Sequence, residues 1–414
     1  MNNYIHRQAC RICAGTDLAC LIDFGRMPLA NSFLRSEAEF SGESFYPLGL
    51  YYCVRCGLVQ LLDVIDPVVL FQDYIYVTGT SDTIAQHNQS YAGAVVEMLE
   101  LGRKDLVIEV ASNDGSLLNC FQRYGVKVLG IEPAGNIANI ANQNGIRTEN
   151  IFFNFNNAED ILGKFGAARA VIGNNVLAHV DNPEDFLLGM NRLLTPGGTV
   201  IIEVPYLKDL LDRLEYDTIY HEHLSYFSVS SLSKLFENAG LSILEIERTP
   251  VHGGSLRLFA GSSEVHDHHA EIVEMFMDNE LQAGMMSQDF YRDFAVKVET
   301  NRRALVGMLE DLRSQGKSIA GYGAPAKGNT LLNYCQISKE LLPYTVDKNP
   351  LKVGKFTPGM HIPVLSVETL LERQPDFVLI LAWNFAEEII DQQKEYRMRG
   401  GRFIIPLPEP GVVQ

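Results

Sequence analysis

Two Cys-x-x-Cys pairs constrain the N-terminal part of the chain more than any other feature. Cys10 and Cys13 form the first pair, and Cys53 and Cys56 form the second. Two such pairs supply four thiolates, which complete the tetrahedral shell of a zinc ion and leave no open position. A redox dithiol or two unrelated turns are the alternatives. We predict that residues 1–76 form a zinc-binding module whose metal is structural.

Length and composition indicate several ordinary globular domains. A chain of 414 residues exceeds the size at which one hydrophobic core stops growing. The N-terminus lacks a secretory signal pattern and no apolar run reaches about 18 residues, so we expect a cytoplasmic protein with no membrane partner. A net charge of −17 argues against a nucleic-acid partner. The oligomeric state is left open, and a monomer is one possibility.

Strand-like and helix-like segments alternate after the cysteine-rich part. Apolar strands such as KDLVIEV, VKVLGIEP and ARAVIGN are separated by amphipathic helical stretches. This order predicts an α/β fold, with a parallel sheet and helices on both of its faces. We predict a Rossmann-like domain over residues 77–300. A second, smaller Rossmann-like α/β domain is expected over residues 301–414, where the strand-like segments include KSIAGYG and FVLILAWNF.

The turn after the first of these strands favours one cofactor. VIEVASNDGS predicts a strand, a small-residue turn and a helix that begins near Ser116. The next strand ends in Glu132, whose carboxylate can accept hydrogen bonds from both hydroxyls of a ribose. This layout favours S-adenosylmethionine over NAD, because the G-x-G-x-x-G pattern is absent; a turn without any ligand is the alternative. Ala111 departs from the glycine usual in methyltransferases. The predicted cofactor residues are Glu109, Ala111, Asn113, Asp114, Gly115, Glu132 and Asn174.

Six motifs occur in one order: the cysteine pairs, EVASNDGSLL, NNVLAHV, YHEHLSYFS, HGGSLR and GYGAPAKGNTLLNY. With these motifs, the chain resembles over essentially its full length the bacterial sugar C-methyltransferases, which modify nucleotide-linked 4-keto deoxysugars. The resemblance implies a zinc module, a central S-adenosylmethionine domain and a C-terminal domain that helps enclose the nucleotide sugar. It implies methylation of a carbon alpha to the ketone, with C-3 preferred. The alternatives are C-5, another keto acceptor, and a non-catalytic zinc-ribbon binding protein.

Carbon methylation requires a base and a group that stabilises an enolate oxygen. The resemblance assigns Tyr220, Glu222 and His223 to the active site, and we choose His223 as the base. Alternate residues share a face of an extended segment, so Tyr220 would lie beside Glu222, or His221 beside His223, unless the segment turns. The alternative to a catalytic role is that these histidines and tyrosines are satisfied polar groups within a lid.

Five further residues complete the predicted site. His179 follows the fourth strand, at the edge where α/β sheets bind substrates, and is the candidate for polarising the ketone. By resemblance, Tyr74 is also assigned to the active site. GYGAPAKGN follows a strand and opens a helix, so its amides could hold phosphate together with Lys327 and Asn329, unless the turn is purely structural. His252, in HGGSLR, is a candidate for substrate contact.

Overall fold

The computed structural model of the chain describes residues 3–71, 82–249, 253–266 and 268–413. Four β-sheets are found within these ranges, with two, seven, four and six strands. None of the helices in the same ranges is long and apolar enough to cross a membrane. The two largest sheets are mostly parallel and carry helices, which confirms the predicted α/β class.

The N-terminal part is built on a long antiparallel pair of strands, β2 and β3, with residues of β3 mostly buried. A third strand pairs with β3, and a two-residue strand from the middle of the chain, Ser225–Tyr226, completes the four-stranded sheet. This sheet therefore includes part of the segment that contains the predicted base. The elements are β1 (Tyr4–His6), β2 (Leu18–Pro28), β3 (Phe45–Cys53), β4 (Val59–Leu61), β5 (Asp63–Ile65) and α1 (Pro67–Phe71).

The central part contains the seven-stranded sheet, in the order β12-β13-β10-β9-β6-β7-β8. Its central strands β6 and β9 are buried along almost their whole length, as expected where helices cover both faces of a sheet. The chain runs outward from β6 to β8 and then returns to β9, so the order reverses between β6 and β9. The elements are α2 (Asp82–Met98), β6 (Leu106–Val110), α3 (Ser116–Arg123), β7 (Lys127–Ile131), α4 (Gly135–Gln143), β8 (Thr148–Glu149), α5 (Phe155–Phe165), β9 (Ala168–Asn174), α6 (Pro183–Arg192), β10 (Leu194–Pro205), α7 (Leu207–Asp212), β11 (Ser225–Tyr226), α8 (Val229–Asn238), β12 (Leu241–Thr249) and β13 (Ser255–Ser262).

Two helices lead into the six-stranded sheet, in the order β16-β15-β14-β17-β18-β19. The strand order reverses between β14 and β17, where open α/β sheets form a crevice. The predicted domain limit at residue 300 falls inside the continuous helix α10. The elements are α9 (Glu271–Gln282), α10 (Gln288–Ser314), β14 (Ile319–Tyr322), α11 (Ala326–Tyr334), β15 (Thr345–Val346), β16 (Val364–Leu365), α12 (Thr369–Arg373), β17 (Phe377–Ile380), α13 (Ala386–Gln392), α14 (Lys394–Met398), β18 (Arg402–Ile405) and β19 (Gly411–Val413).

The two largest hydrophobic cores cross the predicted domain limits. One joins Cys53 and Leu58 of the N-terminal part to the central sheet. The other joins Leu50 of β3 to Tyr216 of the central part and to Leu331 of α11. Each part of the chain therefore buries some of its apolar surface against another part.

Candidate active site

The four cysteines of the two pairs meet in one cluster. Their Sγ atoms all lie within 4.8 Å of one another, and the distance is 3.5 Å for Cys10–Cys56 and for Cys13–Cys53. A tetrahedral zinc with bonds of about 2.3 Å needs sulfur atoms about 3.8 Å apart, so the cluster fits this ion. Protein thiolates then fill all four positions. This confirms the prediction of a structural zinc site.

The turn between β6 and α3 has an unusual backbone that Glu132 holds in place. Ala111, Asn113 and Gly115 adopt left-handed conformations, with φ of 57°, 48° and 76°. The Glu132 carboxylate accepts the N–H of Asn113 at 2.9 Å and the N–H of Ala134 at 2.8 Å. A left-handed alanine costs about 1–2 kcal/mol, so the fold imposes this turn against a local preference. The ribose contact of Glu132 stays a prediction, and a second lone pair on each oxygen remains for it.

The other predicted cofactor residues lie where the strand order of the central sheet reverses. Asp114 directly precedes Gly115, the N-cap residue of α3, and its Oδ1 accepts the N–H of Ser116 at 3.2 Å. Asn174 ends β9, and its Oδ1 accepts the hydroxyl of Tyr91 at 3.3 Å. Burial raises the pKa of Glu109 well above its usual value, and the nearby carboxylates of Asp114 and Glu132 add to this effect. Polar groups from β6, β7 and β9 therefore meet at one crevice, as expected for a ligand site.

A buried ion pair that the sequence analysis missed lies beside this crevice. The guanidinium of Arg257, on β13, is 2.9 Å from Glu203 Oε2 and 3.2 Å from Glu247 Oε2, and it lies 3.9 Å from the ring centroid of Tyr91. Burial raises the pKa of Glu203, but His87 and Arg257 outweigh it and leave that pKa below its usual value. The only sequence signal was the position of these charges within apolar strands. The pair holds α2 against the sheet next to the predicted cofactor residues.

The YHEH segment turns, so neither of the two face-sharing alternatives is found. Tyr220 lies beside His223 instead, with its hydroxyl 3.0 Å from His223 Nε2. His223 Nδ1 is 2.8 Å from the carbonyl oxygen of Thr218. Because a carbonyl can only accept, Nδ1 carries a proton, which in a neutral ring leaves Nε2 to accept from Tyr220. The turn therefore fixes both the tautomer and the orientation of the predicted base.

His179 lies against the ring of His223. Their ring centroids are 4.9 Å apart and the rings are nearly perpendicular, at 80°. Burial, together with the neighbouring His223, lowers the pKa of His179 to about 3. The imidazole is therefore neutral at ordinary pH and can act only as a hydrogen-bonding group there. The structure brings together His179, Tyr220 and His223, three of the residues predicted for catalysis.

The two middle residues of YHEH contact the N-terminal module. His221 Nε2 donates to the carbonyl oxygen of Pro47 at 3.1 Å, and burial lowers the pKa of His221 to about 4. Glu222 accepts a hydrogen bond from Asn31 Nδ2 at 2.7 Å, and burial raises the pKa of Glu222 to about 7. Asn31 gave no motif signal in the sequence. The N-terminal module thus anchors this segment on the side opposite the Tyr220–His223 pair.

A second cluster of charges lies at the strand reversal of the C-terminal sheet. Lys327 Nζ lies 4.2 Å from the ring centroid of Trp383, whose Nε1 donates to Asp217 at 2.7 Å. Burial raises the pKa of Asp217 to about 6, and burial together with Asp217 raises the pKa of Glu215 to about 8. Lys327 opposes both shifts, and burial lowers its own pKa. Only Lys327 of these four residues was predicted from sequence.

The remaining predictions for substrate contact have different outcomes. Asn329, on α11, is fully buried and its Nδ2 donates to the carbonyl oxygen of Ala30 at 2.8 Å, so it joins the C-terminal part to the N-terminal module. Its Oδ1 has no hydrogen-bond partner among the described residues. Tyr74 and His252 lie outside the residues that the structure describes. The catalytic role of Tyr74 and the substrate contacts of Asn329 and His252 stay predictions.

Three family matches cover most of the chain in the order of the predicted parts. Residues 10–71 match "Putative zinc binding domain", residues 84–246 match "Methyltransferase domain", and residues 250–408 match "C-methyltransferase C-terminal domain". These ranges contain the cysteine cluster, the crevice with the predicted cofactor residues, and the Lys327 cluster, respectively.

Two solved methyltransferase structures align with less than half of the chain. Magnesium protoporphyrin IX methyltransferase from Synechocystis PCC 6803, with bound S-adenosylhomocysteine, aligns at 18% identity and a TM-score of 0.33, over 42% of this chain and 81% of its own. The CcbJ methyltransferase from Streptomyces caelestis aligns at 16% identity and a TM-score of 0.34, over 42% of this chain and 89% of its own.

The full-length match is much stronger. The C-methyltransferase NovU from Streptomyces niveus is 40% identical over 405 residues, which are 98% of this chain and 96% of that protein. The three family matches follow one another within the length that this likeness covers. The chain belongs to the S-adenosylmethionine-dependent C-methyltransferases that have an N-terminal zinc-binding domain.

Proposed function

We propose that this enzyme methylates the carbon alpha to the ketone of a nucleotide-linked 4-keto deoxysugar, with C-3 as the acceptor. The proposal depends on one observation above all. The Nδ1–H of His223 is held on the Thr218 carbonyl, and Nε2 lies 3.0 Å from the Tyr220 hydroxyl. An oriented imidazole of this kind is the group that removal of a proton from carbon requires.

His223 Nε2 takes the alpha proton of the sugar. The electron pair of that C–H bond forms an enolate with the neighbouring ketone, whose oxygen gains negative charge. The imidazolium that results keeps its Nδ1–H on the Thr218 carbonyl, which stabilises the positive charge. Tyr220 holds Nε2 before the substrate arrives and stays within hydrogen-bond reach afterwards. It orients the ring and is the next candidate for the base.

His179 stabilises the enolate oxygen in this proposal. Its pKa of about 3 keeps the imidazole neutral, so it donates a hydrogen bond without competing with His223 for the alpha proton. Such a neutral electrophile is effective where the oxygen gains charge in the transition state. The close ring contact between His179 and His223 supports a shared site for the two roles.

The reactive partner and the substrate bind in the two crevices. S-adenosylmethionine supplies a methyl group on a sulfonium, and Glu109, Asn113, Asp114, Glu132 and Asn174 would hold it at the reversal of the central sheet. Lys327, in the first turn of α11, would contact the diphosphate of the nucleotide sugar. Asp217 connects the Lys327 cluster to the proposed base. It accepts a hydrogen bond from Trp383, which lies beside Lys327, and it directly precedes Thr218, whose carbonyl bonds His223.

The test is the reaction itself, with the acceptor carbon read by NMR. Purified zinc-loaded enzyme is incubated with S-adenosylmethionine and a set of nucleotide-linked 4-keto deoxysugars that differ in nucleotide and sugar. We expect a new C–CH3 group at C-3. Methylation at C-5 would retain the chemistry and change the position, whereas methylation of oxygen, or no product with any sugar nucleotide, would contradict the proposal.

A further inference from the structure

Arg11 occupies an unusual place for an arginine. It lies inside the first zinc knuckle, between Cys10 and Cys13, and its side chain is fully buried. Its Nε and Nη1 donors have partners, whereas Nη2 has none among the described residues. A buried guanidinium is costly where its donors lack partners, so the partners that Arg11 has show what it holds in place. These partners lie outside the knuckle, on two different segments of the chain.

The first partner is Asp181, in the loop that carries His179. Arg11 Nε donates to Asp181 Oδ1 at 3.2 Å, and Arg7 donates to both oxygens of the same carboxylate at 3.0 Å. Only one residue separates Asp181 from His179. The carboxylate is therefore a fixed point at one end of the short turn that positions the His179 imidazole.

The second partner is β4. Arg11 Nη1 donates to Gln60 Oε1 at 3.2 Å and to the carbonyl oxygen of Leu61. The N–H of Leu61 in turn donates to the carbonyl oxygen of Leu224 at 3.0 Å, and Leu224 directly follows His223. Arg11 is thus one strand away from the segment that carries the predicted base.

These bonds close into a ring. The N–H of Leu224 donates to the carbonyl oxygen of Ala178 at 2.7 Å, which joins the His223 segment to the His179 turn. The ring then runs from Ala178 to Asp181, from Asp181 to Arg11, from Arg11 to Leu61, and back to Leu224. Both imidazoles are attached to this ring at neighbouring residues.

We propose that Arg11 is a positioning residue that transmits the geometry of the zinc knuckle to the His179 and His223 loops. The zinc holds the backbone on both sides of Arg11, and Arg11 sets the separation of the two catalytic imidazoles. The catalytic consequence rests on the proposed function, whereas the structural consequence does not.

The test compares Arg11→Lys with Asn238→Ala. Lysine keeps the charge but cannot direct donors to Asp181 and β4 together. Asn238 also bonds the first knuckle, because its Nδ2 donates to the carbonyl oxygen of Ile12 at 3.1 Å, but its other partner is Glu184 on α6. It is therefore a matched control that weakens the knuckle without touching the ring.

Arg11→Lys should lower kcat about 10- to 100-fold, because a misplacement of about 1 Å between catalytic groups can have an effect of this order. Zinc content should be unchanged. The affinity for S-adenosylhomocysteine and KM for the nucleotide sugar should stay within about threefold of wild type. Asn238→Ala should lower Tm and leave kcat unchanged. In NMR spectra of histidine-labelled, S-adenosylhomocysteine-bound protein, the His179 and His223 signals should move in Arg11→Lys and not in Asn238→Ala.

Two results would overturn the inference. One is an Arg11→Lys enzyme with wild-type kcat and unmoved imidazole signals. The other is a parallel loss of zinc and kcat in both variants, which would make the effect one of stability alone. If wild-type enzyme methylates no sugar nucleotide but the imidazole signals respond as expected, the proposed function fails and the positioning role stands.

Discussion

At the scale of single residues, the site depends on protonation states that burial sets. Burial favours the neutral form of three residues in this part of the structure, His179, His221 and Glu222. His223 is held differently, by hydrogen bonds at both ring nitrogens. The proposed base is therefore distinguished from its neighbours by its contacts.

The first prediction concerns the base. His223→Asn should lower kcat by about 10²–10⁴, the usual contribution of a positioned general base, and leave the affinity for both ligands within about threefold. With S-adenosylhomocysteine and the nucleotide sugar in heavy water, wild type should exchange the alpha hydrogen and the variant should not. The exposed His268→Asn is the control. Undiminished exchange and turnover in His223→Asn would remove it as the base and leave Tyr220 as the candidate.

The second prediction concerns the stability effect of Glu222. Its pKa is about 7 in the folded chain and about 4.3 when unfolded. Below about pH 4 the carboxyl is protonated in both states and has no effect. As pH rises to about 7, only the unfolded state loses its proton, so stability falls. The stabilisation that Glu222→Gln gives relative to wild type should therefore be larger at pH 8 than at pH 5, by up to about 3 kcal/mol.

The measurement is denaturant unfolding of Glu222→Gln and wild type at both pH values. The glutamine can keep the hydrogen bond from Asn31, so the comparison isolates ionisation. The exposed Glu340→Gln should show no such difference between the two pH values. An equal stability change at pH 5 and pH 8 would mean that Glu222 ionises freely in the folded protein.

At the scale of elements, local signals were enough for strand β6 and for the turn that leads into α3. The apolar run before ASNDGS predicted β6, and α3 begins at Ser116 as expected. The turn in YHEH was not predictable, because the partners of His221 and Glu222 are 174 and 191 residues away in sequence. Arg257 and Asn31 were missed for the same reason. Contacts of this range follow from how sheets pack, which no local pattern records.

The third prediction concerns helix α11. Lys327 lies in its first turn, where a cation and free amides suit a phosphate. Lys327→Met should raise KM for the nucleotide sugar about tenfold, as expected for loss of one charge-assisted contact, with a smaller change in kcat. Affinity for S-adenosylhomocysteine should be unchanged, because that crevice lies in the central sheet. Lys327→Arg should recover part of the loss, and the exposed Lys339→Met is the control.

At the scale of the whole molecule, the central and C-terminal parts each have a core of their own and also share a core with another part. The core that contains Cys53 continues into the central sheet, and the core that contains Leu50 continues into α11. Hydrogen bonds from Asn31 and Asn329 also cross between parts. The sequence indicated three domains, and these shared cores and hydrogen bonds join the predicted parts to one another.

The last prediction concerns zinc and cooperativity. A ligand that binds only the folded state raises the stability of everything that unfolds with it. Because the zinc module shares a core with the central sheet, calorimetry of the zinc-loaded protein should show one transition. Stripping the metal with a chelator, or substituting Cys53→Ser, should move that whole transition to lower temperature, and restoring zinc should reverse the shift only in the chelated wild type. A separate early transition, with the remainder unchanged, would show instead that the zinc module unfolds alone.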